Sequence, residues 1–106
     1  MAYAERGMSA PPEVVFNTAT DPARASAWLP EPLRGDGSPA EEVSVEELRA
    51  RWSAAEDWSA ELRVDPAQAG GARMRLDLTG GPDAERLADE ALDSLAREVA
   101  DNLQAG

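Results

Sequence analysis

The sequence predicts an α+β fold in which one long C-terminal helix lies across the apolar face of an antiparallel sheet. Apolar and polar residues alternate in the middle of the chain, which is typical of strands with one buried and one exposed face. Three segments show this alternation: 48–54, 58–65 and 72–79. From Leu87 to Leu103, apolar residues instead recur every three or four positions, which indicates an amphipathic helix. A chain of 106 residues is expected to form one domain, residues 1–106.

The first part of the chain is predicted to form a strand and two short helices. Residues 2–8 are the predicted first strand. Ser9, followed by two prolines and a glutamate, matches a helix start, because it offers an N-cap and first-turn prolines. The Asp-Pro pair at position 21 ends this helix and begins the next one. Two further prolines, near residue 30, end the second helix.

The segment before the alternating strands is rich in Pro, Gly, Ser and acidic residues, so residues 31–42 are a predicted flexible loop. Alternation resumes at residue 43, but its period slips near residue 47. Two interpretations are open. Segment 44–47 matches a capping box that would begin a helix, or its two glutamates form a turn or bulge between strands. The unbroken alternation through Trp52 favours strands.

The strand pattern defines an inward face, and the last helix completes the core. The residues predicted to face inward are Val43, Val45, Leu48, Ala50, Trp52, Trp58, Ala60, Leu62, Val64, Met74, Leu76 and Leu78. The predicted core joins members of this set to residues of all three helices. Its members are Val15, Phe16, Trp28, Leu29, Trp52, Leu62, Leu76, Leu92, Leu95 and Val99.

The composition weighs against an enzyme that uses its own side chains. The chain has no Cys, no His and no Lys, which removes thiolates, the commonest general base and Schiff-base chemistry. None of the predicted inward positions ionises. Tyr3 and Glu5 are the only polar candidates near that face, and both are expected at the surface or the edge. We therefore predict no catalytic residue, no metal site and no cofactor.

A net charge of −11 disfavours binding to nucleic acid and to anionic membranes. No apolar run is long enough to span a bilayer, and the first eight residues lack the apolar core of a signal peptide. We therefore expect a cytoplasmic protein. The abundance of Ala, with Arg as the sole basic residue type, is typical of a GC-rich genome such as that of an actinobacterium.

Half of the arginines fall on the polar face of the predicted sheet: Arg49, Arg51, Arg63, Arg73 and Arg75. Only Glu61, Asp65 and Asp77 of the predicted strands share that face. One interpretation is cross-strand pairing on a solvated surface. The other is a docking face for an acidic partner, such as the acidic helix of a second copy in a homodimer.

Several motifs resemble the START-like helix-grip superfamily (SRPBCC), in particular its bacterial polyketide cyclase/dehydrase-like group. They are SAPPEVVF at 9–16, TDPAR at 20–24 and WLP at 28–30, together with the strand that contains Trp52 and the terminal helix. The resemblance implies a helix that grips the sheet and roofs a ligand cavity. The resemblance implies a shortened member, because the loop 31–42 stands where members of this family usually have more sheet.

The predicted site holds a small apolar or aromatic ligand between the sheet and the last helix. Its candidate ligand-binding residues are Trp52, Trp58, Met74 and Leu92, since aromatic rings and Met supply adaptable apolar area. The shortened sheet predicts a volume at or below the low end of roughly 300–1,000 Å³. One alternative is a protein-interaction or self-associating module with a filled core. Family analogy alone suggests another, an aromatase/cyclase-type enzyme.

Overall fold

The computed structural model describes residues 2–29, 33, 42–53, 58–81 and 83–105. Its elements, in chain order, are β1 (Ala2–Met8), α1 (Pro12–Thr20), α2 (Pro22–Trp28), β2 (Glu42–Ser44), β3 (Arg49–Ser53), β4 (Ser59–Pro66), β5 (Ala72–Thr79) and α3 (Ala84–Ala105). The predicted α+β architecture is confirmed, including the two short helices after the first strand. None of the described helices is long and apolar enough to cross a membrane.

The five strands form one antiparallel sheet in the order β1-β5-β4-β3-β2. The first strand therefore pairs with the last strand, and Ala4 lies opposite Leu76. The two eight-residue strands β4 and β5 are next to each other near the centre, with Leu62 opposite Leu76. The three-residue strand β2 lies at the other edge of the sheet.

A turn over residues 45–48 joins β2 to β3, which confirms the strand interpretation of this segment. The capping-box contact is present inside the turn, where the backbone N–H of Glu47 donates to Ser44 Oγ at 3.4 Å. Leu48 ends the turn with φ at 53°, a left-handed conformation that is uncommon for leucine. From there Ala50 and Trp52 point into the core.

The core lies between one face of the sheet, called here the inner face, and the three helices. All ten predicted core residues are buried, and Val15, Leu62 and Leu95 have no exposed surface. Leu33 is also buried, at 4% exposure, although it falls in the predicted loop. Glu42, the last residue of that prediction, belongs to β2. The other residues of the predicted loop 31–42 lie outside the described part of the chain.

Two of the predicted inward residues are exposed instead. Val43 lies on the inner side of the sheet, opposite Ala50, but it is 49% exposed. Val45 is 70% exposed, so its predicted inward position is wrong. The reason is local: β2 is a short edge strand that little packs against, and Val45 lies in the turn rather than in a strand. Leu48 and Trp58 are half-buried at the margin of the core.

Polar contacts join the short helices to α3. The Arg24 guanidinium in α2 donates to the Glu98 carboxylate at 3.2 Å. Asn102 in α3 donates to Thr18 Oγ1 at 3.1 Å, and that hydroxyl donates to the Val14 carbonyl at 2.8 Å. Thr18 is 1% exposed, so these bonds satisfy a polar group that would otherwise be costly to bury.

Candidate functional site

The four predicted ligand residues lie at two different levels of the inner face. Trp52 is opposite Ala60, and Trp58 precedes Ala60 by two positions, so the two tryptophans share one end. Met74 lies six residues before Gly80, which Trp58 contacts. At the rise of a strand, this spacing separates Met74 from Trp58 by about 20 Å.

Leu92 belongs with Met74 rather than with the tryptophans. Its neighbour in α3, Asp93, accepts a hydrogen bond from the Arg6 guanidinium at 2.9 Å, and Arg6 is opposite Met74 in the sheet. The structure therefore places Trp52 and Trp58 at one end of the inner face, and Met74 and Leu92 towards the other end.

Tryptophan rings fill the first of these ends. The ring of Trp52 meets that of Trp28 edge-to-face, with centroids 5.3 Å apart and planes at 84°. Trp28 Nε1 donates to the Ala19 carbonyl at 3.1 Å, which holds the indole in place. Trp52, Met74 and Leu92 are all at most 2% exposed, so only Trp58 among the four has appreciable solvent contact.

The half-buried ring of Trp58 lies against the diglycine that links β5 to α3. A Cβ atom on Gly81 would stand 2.7 Å from Trp58 Cζ2, and one on Gly80 would overlap the same indole. Neither position can therefore carry a side chain unless the ring moves. The pair is distant in sequence, so no local pattern could have identified this contact.

Several clefts lined by described residues open at the surface. One, of about 630 Å³, lies between β1 and the start of α3, and Tyr3 and Glu5 help to line it. Others lie at the β2 edge and beside the β4–β5 connection. None of these clefts has Trp52, Trp58, Met74 or Leu92 in its wall.

The register of β1 decides which polar side chains lie near the core. Tyr3 is opposite Asp77 and Glu5 is opposite Arg75, so both lie on the solvent-facing side of the sheet, called here the outer face. Tyr3 is 53% exposed. Arg6 is instead the charged residue on the inner side, and it is engaged by α3. Within the described residues, no group of three or more acidic side chains could hold a metal ion.

The outer face carries a line of three arginines across neighbouring strands. Arg49 of β3 is opposite Arg63 of β4, and Arg63 is opposite Arg75 of β5. We call these three residues the arginine row. Neighbouring strands are about 4.8 Å apart, so the row is about 10 Å long.

The two ends of the row have acidic partners. Arg75 binds the Asp77 carboxylate at 3.2 Å, and its guanidinium lies 4.3 Å from the centre of the Tyr3 ring. The hydrogen bond and the charge of Asp77 raise the pKa of Arg75 above its usual value, so this arginine stays charged. Arg49 lies 3.7 Å from Glu61 and 3.5 Å from Glu47.

The middle of the row has no such partner. Within the described part of the chain, no carboxylate oxygen lies within 4.0 Å of the guanidinium nitrogens of Arg63, Arg51 or Arg73. All three are exposed. Arg49 is thus paired across strands with Glu61, and Arg75 is paired along its own strand with Asp77. Arg51 and Arg73 lie opposite Glu61 and Asp65 in the sheet register, whereas Arg63 has an arginine opposite it on both sides.

No protein-family model matches the chain, and no curated protein matches it. Solved structures do. TTHA0849 of Thermus thermophilus has a TM-score of 0.65 at 22% identity, over 98% of this chain and 97% of that one. A START superfamily protein from Mycobacterium smegmatis has a TM-score of 0.63 at 14% identity, over 98% and 97%.

CalU16 from Micromonospora echinospora has a TM-score of 0.61 at 20% identity, over 97% of this chain and 83% of that one. Identities this low reveal a shared fold and nothing about ligands. The chain has the helix-grip fold of START-like proteins, as the sequence resemblance implied.

Proposed function

We propose that this helix-grip chain is a non-catalytic module that binds a small, flat apolar molecule between the sheet and α3, with the cytoplasm as its place of action. The contact site is the end of the inner face where Trp52 and Trp58 lie. The observation that carries the proposal is the setting of Trp58, a half-buried indole laid flat against the backbone of Gly80 and Gly81.

A flat ligand could take the place of this indole with little disturbance of the core. Trp58 already has solvent contact, so moving its ring exposes less new apolar surface than moving Trp52, which is 2% exposed. Gly80 and Gly81 present backbone without side chains, which leaves a flat surface beneath a ring. Apolar pockets with few polar anchors are usual for small-molecule sites.

Met74 and Leu92 lie deeper between the sheet and α3 than the proposed contact site. Both are buried, at 0% and 1% exposure. They would touch only a ligand long enough to extend from Trp58 along the inner face, with α3 displaced from the sheet. A small ligand is therefore expected to depend on Trp58 far more than on Met74.

The test is a thermal-shift series with neutral aromatic probes, naphthalene and indole, followed by titration calorimetry, because both probes fluoresce in the same range as tryptophan. We expect both probes to raise the melting temperature of the wild type and to give a heat of binding. Trp58→Ala vacates the surface beside Gly80 and Gly81, so it should bind the probes at least as tightly as the wild type does. Leu103→Ala is the matched control, because Leu103 is an exposed apolar residue at the far end of α3, and it should bind as the wild type does.

A second variant separates a ligand site from a filled core. Leu92→Ala removes buried volume, and apolar cavities made in this way can take up small aromatic molecules. If naphthalene binds Leu92→Ala but neither probe affects the wild type, the natural core has no room for a ligand. That result would overturn the ligand proposal.

A second function, that of a protein-interaction module with a filled core, has an observation of its own in its favour. The edge-to-face packing of Trp28 on Trp52 occupies the space that a deep ligand would need. The arginine row lies on the opposite side of the sheet. Packing of the core does not explain why three arginines lie side by side there. For the third alternative, an aromatase/cyclase-type enzyme, the inner face offers no acid or base among its described strand residues other than Arg6.

A further inference from the structure

We propose that the arginine row binds an acidic stripe on α3 of a second copy of this chain. The stripe consists of Glu85, Asp89 and Asp93, which follow one another at intervals of four residues. This inference deepens the second function proposed above and rests on it. It does not depend on ligand binding, so the two proposals can fail separately.

Folding does not account for the row. Like charges placed directly opposite each other on neighbouring strands destabilise a sheet. Arg63 has an arginine opposite it on each side and, among described residues, no carboxylate within ion-pair distance. Arg49 and Arg75 have internal partners, but Arg63 has none among the described residues and lies between two like charges, so its position is better explained by an external contact.

The charge of the molecule is unevenly divided, in a way that suits contact between copies. The strand positions of the outer face carry five arginines and five carboxylates, and the latter are Glu5, Glu42, Glu61, Asp65 and Asp77. This face is therefore neutral overall. The whole net charge of −11 belongs to the rest of the chain. A second copy can approach the sheet face without the repulsion it meets elsewhere.

The stripe and the row have matching dimensions. Four residues of α-helix rise about 6 Å, and neighbouring strands are about 4.8 Å apart, so a helix laid across the strands brings successive carboxylates to successive arginines. Glu85 and Asp89 are exposed, and within the described residues no arginine nitrogen lies within 4.0 Å of either carboxylate. Asp93 is shared with Arg6 and Arg97.

The geometry dictates a head-to-tail contact. The row lies on the outer face of the sheet, whereas the stripe lies on α3 beside the β1 edge, where Glu85 and Asp89 line the same cleft as Tyr3 and Glu5, so the two patches lie on different surfaces of one copy. Such a contact is heterologous, and it leads to a ring or an open chain of copies.

The experiment uses two charge reversals and their mixture, measured by sedimentation equilibrium of the full chain over a concentration series. The wild type is expected to gain mass with concentration and to pass beyond the dimer. Arg63→Glu destroys the row and Asp89→Arg destroys the stripe, and each variant alone should associate about tenfold more weakly. In their equimolar mixture the intact row meets the intact stripe, and the two reversed positions also face each other with opposite charges, so association should be regained and should again pass beyond the dimer.

Arg73→Glu is the matched control, because it makes the same change of charge at an exposed outer-face residue that belongs to neither the row nor the stripe. Its association should be no weaker than that of the wild type, and circular dichroism checks that every variant is folded. A wild type that stays monomeric throughout overturns the inference. Variants that associate as the wild type does also overturn it, but leave the interaction function standing. A mixture that stays monomeric shows that α3 is not the occupant.

Discussion

The inner and outer faces of the sheet differ in how their residues affect stability. On the inner face, Leu62, Leu76 and Leu78 are fully buried, and each contributes to stability by leaving water. On the outer face, residues on those same strands set Arg63 between two other arginines. The contrast separates what the fold requires from what it merely tolerates. An arrangement that the fold tolerates at a cost is the place to look for function.

The largest effect that tests this contrast is expected where α3 packs on the inner face of the sheet. Leu95 lies on α3 with no exposed surface, so Leu95→Ala should lower the free energy of unfolding by about 2–5 kcal/mol. Leu103→Ala, on the exposed part of the same helix, should change it by less than about 0.5 kcal/mol. Urea denaturation measures both. Equal effects at the two positions would mean that α3 does not pack on the sheet as described.

An intermediate effect is expected where the inner face meets solvent. Gly80→Ala forces a methyl group into the ring of Trp58, so it should cost about 1–3 kcal/mol of unfolding free energy. If the ring is the cause, adding Trp58→Ala should recover part of that loss in a double-mutant cycle. Gly7→Ala is the control, since its Cβ would meet nothing closer than 3.8 Å. If the losses of unfolding free energy from Gly80→Ala and Trp58→Ala simply add, the two residues do not contact each other.

The smallest effect has the opposite sign. Arg63→Glu puts a carboxylate between Arg49 and Arg75, so the free energy of unfolding should stay the same or rise by up to about 1 kcal/mol. Glu61→Arg is the comparison variant, because it removes a partner of Arg49 and should lower stability slightly. A clear loss of stability in Arg63→Glu would show that the row supports the fold, and the contrast between the faces would collapse.

The parts of this fold that follow from short-range patterns could be predicted from the sequence. Apolar and polar residues alternate along β3, β4 and β5, and apolar residues recur every three or four positions along α3. Both patterns are determined by which side of each element meets water. The position of the five arginines on the outer face follows from the same alternation. The arginine row does not, because it depends on strand register, and register is fixed by the turns and by core packing together.

Where prediction failed, neighbours distant in sequence decided the outcome. Val43 has the residue type of a buried strand, yet it lies on a three-residue edge strand that leaves it half exposed. Trp58 and Met74 both look like pocket residues, but the register of β5 sets them at different levels of the sheet. The contact of Trp58 with Gly80 joins residues 22 positions apart in the chain, and no local pattern carries it.

The pairing of β1 with β5 also governs how the protein is made. β1 leaves the ribosome well before its only described strand partner, β5, which lies about 70 residues later in the chain. At about 5–20 residues per second, this partner follows after roughly 4–14 s of translation. During that interval the nascent chain carries an unpaired strand with Ala2, Ala4 and Met8 on its apolar side. Sheet closure is consequently a late, long-range event, and it is the step at which chaperones would be of most use.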